Sequence, residues 1–249
     1  MSQERLLYFP EKVPFAELSR FVSGAQAWPS ADAFRGLMSA PAAGKVHGTM
    51  IVFHGNAGHA GHRGFYVEAL VPLGWRVILA EYPGYGPRDG KLGEASLVAD
   101  AAETIALARS QFGQPVYLLG ESLGAGVAAA ASDRLRHEGI AGLLLVTPWD
   151  RLKRVASYHY PWLPVGWFLS DGYDSVAHLA SFRGRVAVVL AADDRIVPAE
   201  FGRALFASLR AEKSLRVIAE ADHNDWVERT DATWWQSVLD FLYLQPGGQ

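Results

Sequence analysis

Short apolar runs recur along the chain, separated by longer stretches in which apolar and polar residues mix. Gly48–Phe53, Trp75–Ala80, Pro115–Leu119, Ile140–Val146, Arg185–Leu190 and Ser214–Ala219 are each five to seven residues long and mainly aliphatic or β-branched. That length and composition predict buried strands. Leu6–Phe9 and Ala33–Ser39 predict two further short strands, joined by a loop that carries Pro10, Pro14 and Pro29. Phe65–Leu73, Leu92–Phe112, Ala125–Arg136 and Ala199–Arg210 predict helices, and Thr230–Leu244 predicts a last one before the tail Gln245–Gln249. Residues 151–182 show no regular period and are rich in aromatic side chains. Strands that are apolar throughout and alternate with helices imply an α/β fold: a mostly parallel central sheet of about eight strands, flanked by helices. No repeat, low-complexity run or linker divides the chain, so residues 1–249 are expected to form a single domain.

Composition narrows the function classes. The chain has 23 basic and 26 acidic residues, a net charge of −3, which points to neither nucleic acid nor an anionic membrane surface as partner. It has no cysteine, and therefore no thiolate nucleophile, disulfide or cysteine-based metal site. The N-terminus lacks the pattern of a signal peptide, and no apolar run reaches the roughly 18 residues of a membrane span. A cytoplasmic protein is the expectation.

In a parallel α/β sheet, ligands bind beyond the carboxyl ends of the strands. The unusual polar and aromatic residues of this chain fall there: His54 and Asn56, Tyr82, Ser122, Trp149, Asp194 and His223. Gly120-Glu121-Ser122-Leu123-Gly124 lies between a predicted strand and a predicted helix, the context of a nucleophile elbow. A serine hydroxyl needs a base within hydrogen-bond reach, and the base needs a third group to hold its tautomer. His223, on the polar loop after the last strand, is the candidate base. The acid is expected from the loop after the preceding strand, where Asp193 and Asp194 are adjacent. Asp194 is favoured because it opens the rigid turn Asp194-Arg195-Ile196-Val197-Pro198, and Asp193 is the fallback. The order Ser122, Asp194, His223 is the one this architecture requires. Candidate oxyanion donors are the backbone N–H of Leu123, at the helix start, and that of Asn56, with Ala57 as its neighbour alternative.

Other residues receive plainer readings. His54, His59 and His62 invite a metal, but no carboxylate lies among them in sequence, so no metal site is expected and His54 is read as a brace for the oxyanion loop. Tyr82 and Tyr85, with Gly84 and Gly86, form a tight turn that lines the rim. Glu121 is read as a bracing carboxylate and Asp225 as a loop or helix-start cap.

Five motifs together resemble the α/β-hydrolase superfamily, and closely its serine-hydrolase branch of serine aminopeptidase-like and small alpha/beta hydrolase domain proteins. They are His54-Gly-Asn-Ala-Gly58, Glu81-Tyr-Pro-Gly-Tyr-Gly86, Gly120-Glu-Ser-Leu-Gly124, Asp194-Arg-Ile-Val-Pro198 and His223-Asn-Asp-Trp226, spread over about residues 45–244. The resemblance implies that Ser122 is the nucleophile, Asp194 the acid, His223 the base, and Asn56 and Leu123 the oxyanion donors, with no cofactor. Fewer than 40 residues separate Val146 from Arg185, so any lid is small, and 151–182 is the lid-like segment. Its aromatics, Tyr158 to Pro164 with Trp167 and Phe168, read equally as core or as an apolar wall beside Ser122. Tyr82, Trp149 and Trp162 are the candidate substrate contacts.

The function expected is hydrolysis of a small-molecule carboxylic ester or thioester through a Ser122 acyl-enzyme. The alternatives are a peptidase or amidase on the same triad, or a catalytically silent binding module. The short segment offers only Asp171 and Asp174 to hold a substrate amine, which favours the ester. An aspartate in place of Ser122 would have indicated haloalkane dehalogenase chemistry.

Overall fold

The structure is a computed structural model that describes residues 4–113, 115–162 and 169–243. The first part of the chain runs through α1 (Glu4–Leu7), β1 (Phe9–Pro10), α2 (Phe15–Leu18), β2 (Gln26–Trp28), β3 (Gly36–Ser39), β4 (Gly48–Phe53), β5 (Ala57–Gly58), α3 (Gly64–Leu70) and β6 (Trp75–Ala80). The middle holds α4 (Glu94–Phe112), β7 (Val116–Glu121), α5 (Leu123–Arg134), β8 (Ile140–Val146), α6 (Leu152–His159) and α7 (Ser175–Leu179). The last part holds β9 (Arg185–Ala191), α8 (Ala199–Ser208), β10 (Lys213–Ile218) and α9 (Ala232–Tyr243). Among the described residues, eight strands form one sheet in the order β2-β3-β6-β4-β7-β8-β9-β10. From β6 to β10 every pairing is parallel, while β3 runs antiparallel to both β6 and β2.

The unbroken apolar character of the central strands follows from burial on both faces. Alternate residues point to opposite sides. Ile51, Phe53, Leu143 and Leu145 pack in one cluster with Leu97 and Ile105 of α4, Val127 of α5 and Leu205 of α8. Their neighbours Met50, Val52, Leu144 and Val146 pack in the other, with Tyr66 and Leu70 of α3 and Trp235 and Leu239 of α9.

Three expectations change. The run Leu6–Phe9 is not a strand of the sheet. It forms α1 and then β1, which pairs in parallel with β5. Phe9 donates to Asn56 O and Glu11 to Gly58 O, so Pro10 occupies the alternate position, where its missing N–H costs no ladder bond. The hairpin partner of β3 is Gln26–Trp28, a strand too short to show a period in sequence. Residues 151–182 contain two helices, α6 and α7. Leu152, Val155 and Ala156 of α6 do fall at helical spacing, but the helix is only 8 residues long, too short a window to stand out from the aromatic run around it. Leu163, Pro164, Trp167 and Phe168, and the tail with Leu244, lie outside the described residues. Among the described residues, no helix is long and apolar enough to cross a membrane.

Register sets the site. Phe53, the last residue of β4, pairs with Gly120 of β7, and Glu121 pairs with Val146 of β8. Ala191 of β9 pairs with Ile218 of β10. The loops that carry His54, Ser122, Asp194 and His223 therefore leave the sheet at the same edge.

Candidate active site

Ser122 joins β7 to α5 with φ 54° and ψ −115°, a left-handed backbone that an L-residue adopts only under strain. The flanking glycines are what permit the turn. A Cβ on Gly120 would lie 2.4 Å from Gly124 O, and one on Gly124 would lie 1.9 Å from Phe53 O. Strand and helix thus pack at backbone contact, and the alanines Ala128–Ala131 of α5 extend that close approach against the sheet. The peptide is held from behind by Ser122 N donating to Val146 O at 2.9 Å. Glu121 points the other way. Arg63 Nη2 donates to its Oε1 at 2.7 Å, and Tyr66 Oη donates to its Oε2 at 3.0 Å, so the carboxylate fastens the elbow to α3.

Ser122, Asp194 and His223 are all buried and form one hydrogen-bonded row. His223 Nδ1 lies 2.7 Å from Asp194 Oδ2, and Nε2 lies 3.0 Å from Ser122 Oγ. A carboxylate only accepts, so Nδ1 is the donor to Asp194, and Nε2 of the neutral ring is left to accept from the serine hydroxyl. The other carboxylate oxygen, Oδ1, accepts from Ile196 N at 2.9 Å and Val197 N at 2.7 Å. These bonds distinguish the two adjacent aspartates: Asp193 is exposed, and its N–H donates to Ala221 O.

Sequence reasoning missed the bridge between the acid and base loops. Asp222 Oδ1 accepts from Arg195 N at 3.0 Å and from His223 N at 2.8 Å, and Asp222 Oδ2 accepts from Arg195 Nε at 2.7 Å. The backbone N–H of Arg195, then that of His223 and the Arg195 guanidinium, hold the Asp222 carboxyl down at about 2. The signal was adjacency: Arg195 follows the acid and Asp222 precedes the base. Asp225 Oδ1 accepts from Asp222 N, the loop-cap role expected of it.

The loop after β4 is organised by His54. Its Nδ1 lies 2.7 Å from Gly55 O, and since a carbonyl only accepts, Nδ1 donates. In a trans peptide this turns the N–H of Asn56 to the opposite side. Asn56 uses its other groups on the N-terminal segment and on Tyr85. Its Nδ2 donates to Leu7 O, and its carbonyl accepts from Phe9 N and Tyr85 Oη. His54 Nε2 lies 3.0 Å from Glu81 Oε1, both buried, and Glu81 Oε2 accepts from Ala60 N. Leu123 N sits in the first turn of α5, where helix N–H groups have no intrahelical acceptor.

The three expected substrate contacts have different positions. Tyr82 is buried behind the loop rather than on an open rim, and its hydroxyl donates to His54 O at 2.8 Å. Burial raises that hydroxyl far above the ordinary tyrosine range, so it stays protonated and keeps the proton it donates to His54 O. Trp149 is buried, and its Nε1 has no hydrogen-bond partner among the described residues. Trp162 is 74% exposed and meets the Tyr160 ring edge-on. In the lid-like segment, His159 Nε2 donates to Ile196 O at 2.7 Å, which ties α6 to the acid loop. Asp174 caps α7 by accepting from Ala177 N, and Asp171 accepts from Tyr8 Oη.

The sheet order and the elbow define a class, the α/β-hydrolase fold, and solved structures share it. The Pyrococcus furiosus esterase Pf2001 superposes with a TM-score of 0.71 at 16% identity, covering 95% of this chain and 96% of that one. Butyrivibrio proteoclasticus Est1E, solved with ferulic acid bound, gives 0.66 at 17% identity over 82% and 93%. The family model described as Serine aminopeptidase, S33, matches residues 44–171, and the chain belongs to that family of serine hydrolases. The uncharacterized protein Rv2307c of Mycobacterium tuberculosis is 34% identical over 90% of this chain and 81% of its own length. Lysophosphatidylserine lipase ABHD12 of Danio rerio is 30% identical over 68% of this chain, which spans about half of that protein (49%).

Proposed function

We propose that this enzyme hydrolyses a small-molecule carboxylic ester or thioester through an acyl-enzyme on Ser122. The observation that carries the proposal is the continuous row from Ser122 Oγ through His223 to Asp194, at 3.0 and 2.7 Å, on a strained elbow. In the first half-reaction Ser122 Oγ attacks the acyl carbon while its proton passes to His223 Nε2. Asp194 keeps the ring oriented and stabilises the imidazolium. The carbonyl oxygen becomes an oxyanion that accepts from the N–H groups of Leu123 and Asn56. Collapse breaks the bond to the alcohol or thiol, which leaves with the proton from His223. Water then attacks the acyl-serine, giving its proton to His223, and the acid departs as Ser122 regains a proton.

The ester reading draws on the names of the relatives, several of them esterases or lipases, and on the small segment 151–182. That segment fits a lid on one α/β domain, with Trp149 and Trp162 as acyl or aromatic contacts. The family description keeps peptide or amide cleavage as the second reading. A fluorophosphonate probe and a substrate panel separate the possibilities. We expect Ser122 to be labelled, and p-nitrophenyl acyl esters to be cleaved faster than amino-acid anilides. Cleavage of anilides alone would reverse the ranking, and a folded chain that takes no label would be a binding module.

A further inference from the structure

The hydrolytic row makes no use of a second polar cluster, formed by Glu11, His59 and His62. His59 caps the start of the 3₁₀ turn Ala60–Arg63 and His62 lies within it, and side chains three residues apart in such a turn eclipse one another. Their rings accordingly lie 3.8 Å apart between centroids, at 31°. The missing partner in sequence was a carboxylate, and the fold supplies one from nearly fifty positions away. Pairing of β1 with β5 carries the N-terminal segment across the loop, and Glu11 N donates to Gly58 O. Glu11 Oε2 then lies 3.8 Å from His62 Nε2. One ligand atom from each of the three residues falls within 4.8 Å of the others.

His59 is the independent sign of a ligand. It is fully buried (0% exposed), yet neither of its nitrogens has a hydrogen-bond partner among the described residues. A buried imidazole without partners forgoes the bonds that normally offset its desolvation. A metal ion would satisfy one of those nitrogens. The site is also shaped: Phe21 packs edge-on against both rings, and a Cβ at Gly58 would lie 2.5 Å from His62 Nδ1.

We infer that Glu11, His59 and His62 bind a divalent transition-metal ion, with zinc as the favoured species. Two imidazoles and one carboxylate are the donor set of zinc and its first-row neighbours, whereas magnesium and calcium prefer oxygen alone. Tetrahedral ligands on zinc sit about 3.3 Å from one another. Glu11 is exposed, so its carboxylate closes the remaining distance by changing rotamer. The fourth position is left to water. The ion would pin the N-terminal segment to the loop that carries Asn56, and its role is structural.

The test uses the full chain, without a histidine tag, stripped by a chelator and titrated with zinc chloride in a calorimeter. One equivalent is expected to bind. Free zinc at about 100 times Kd is expected to raise Tm by roughly 5–10 °C. Cobalt chloride should give the visible absorption of nitrogen-ligated cobalt. Glu11→Gln and His62→Ala change exposed or half-buried side chains, so both variants keep the parent's circular dichroism, and each weakens zinc binding by about ten-fold or more. Absence of saturable binding by the parent chain overturns the inference. So does an affinity in either variant that falls by less than about ten-fold.

Discussion

The elbow and its partner loops differ sharply from the segment between β8 and β9. Around Ser122 nearly every polar group is committed. The serine N–H bonds to Val146 O, Asp194 Oδ1 accepts two backbone N–H groups, and Asp222 holds His223 N and Arg195 together. In residues 151–162, Tyr158, Tyr160 and Trp162 are exposed, and α6 reaches the Asp194 loop through the bond from His159 to Ile196 O. The difference teaches where precision is needed. Proton transfer requires atoms held within hydrogen-bond reach, so the frame over-determines them. The proposed substrate contact Trp162 sits on an exposed, aromatic connecting segment, where adaptability is tolerated.

Substitutions that strike the frame have the largest expected effects. Ser122→Ala removes the proposed nucleophile and should lower ester turnover by about 10⁶-fold, with thermal unfolding unchanged. Gly124→Ala forces a Cβ to 1.9 Å from Phe53 O, so strand and helix must separate. A destabilisation of about 4 kcal/mol or more is expected in denaturant unfolding. The neighbouring aspartates sharpen the contrast further. Asp194→Asn should cost about 10⁴-fold in kcat by fixing the wrong imidazole tautomer. Asp193→Asn should change kcat less than about two-fold, because that exposed side chain lies outside the row. Equal losses from the two variants would remove the distinction drawn between them.

Trp162→Ala belongs to the other region. It should leave Tm unchanged and alter kcat/KM by several-fold between short and long acyl esters, as read from a chain-length panel. A smaller effect concerns acid. The N–H groups of Arg195 and His223, with the Arg195 guanidinium, hold the Asp222 carboxyl down at about 2, below its ordinary 3.8. A depressed carboxyl contributes stability that is present above the unfolded value and lost as pH falls through the folded one. The Asp222–Arg195 bridge is therefore intact above pH 3.8 and fails toward pH 2. Arg195→Ala removes the guanidinium and should move the acid-unfolding midpoint slightly upward.

The local signals were legible in the chain alone. Trp75–Ala80 and Ile140–Val146 have the strand limits expected of them, because a doubly buried strand is apolar nearly throughout, the half-buried Arg76 apart. Gly120-Glu-Ser-Leu-Gly124 announced its own turn, since only glycine fits where Cβ atoms would meet backbone oxygen. The order of Ser122, Asp194 and His223 followed from the order of strands. The short elements β2 and α6 gave windows too brief to register a period.

What tertiary structure decided was which distant residues meet. Asp193 and Asp194 are neighbours of one type, and only the loop's fold buries one and exposes the other. Tyr82 lies at a strand end, as read, but the packing of the loop after β4 places it behind the site. The nearness of Glu11 to His59 and His62 depends on β1 pairing with β5, a contact that carries no pattern in either segment. Periodicity and turn chemistry report a residue's own surroundings; the meeting of residues far apart is set by sheet order and register, which belong to the fold as a whole.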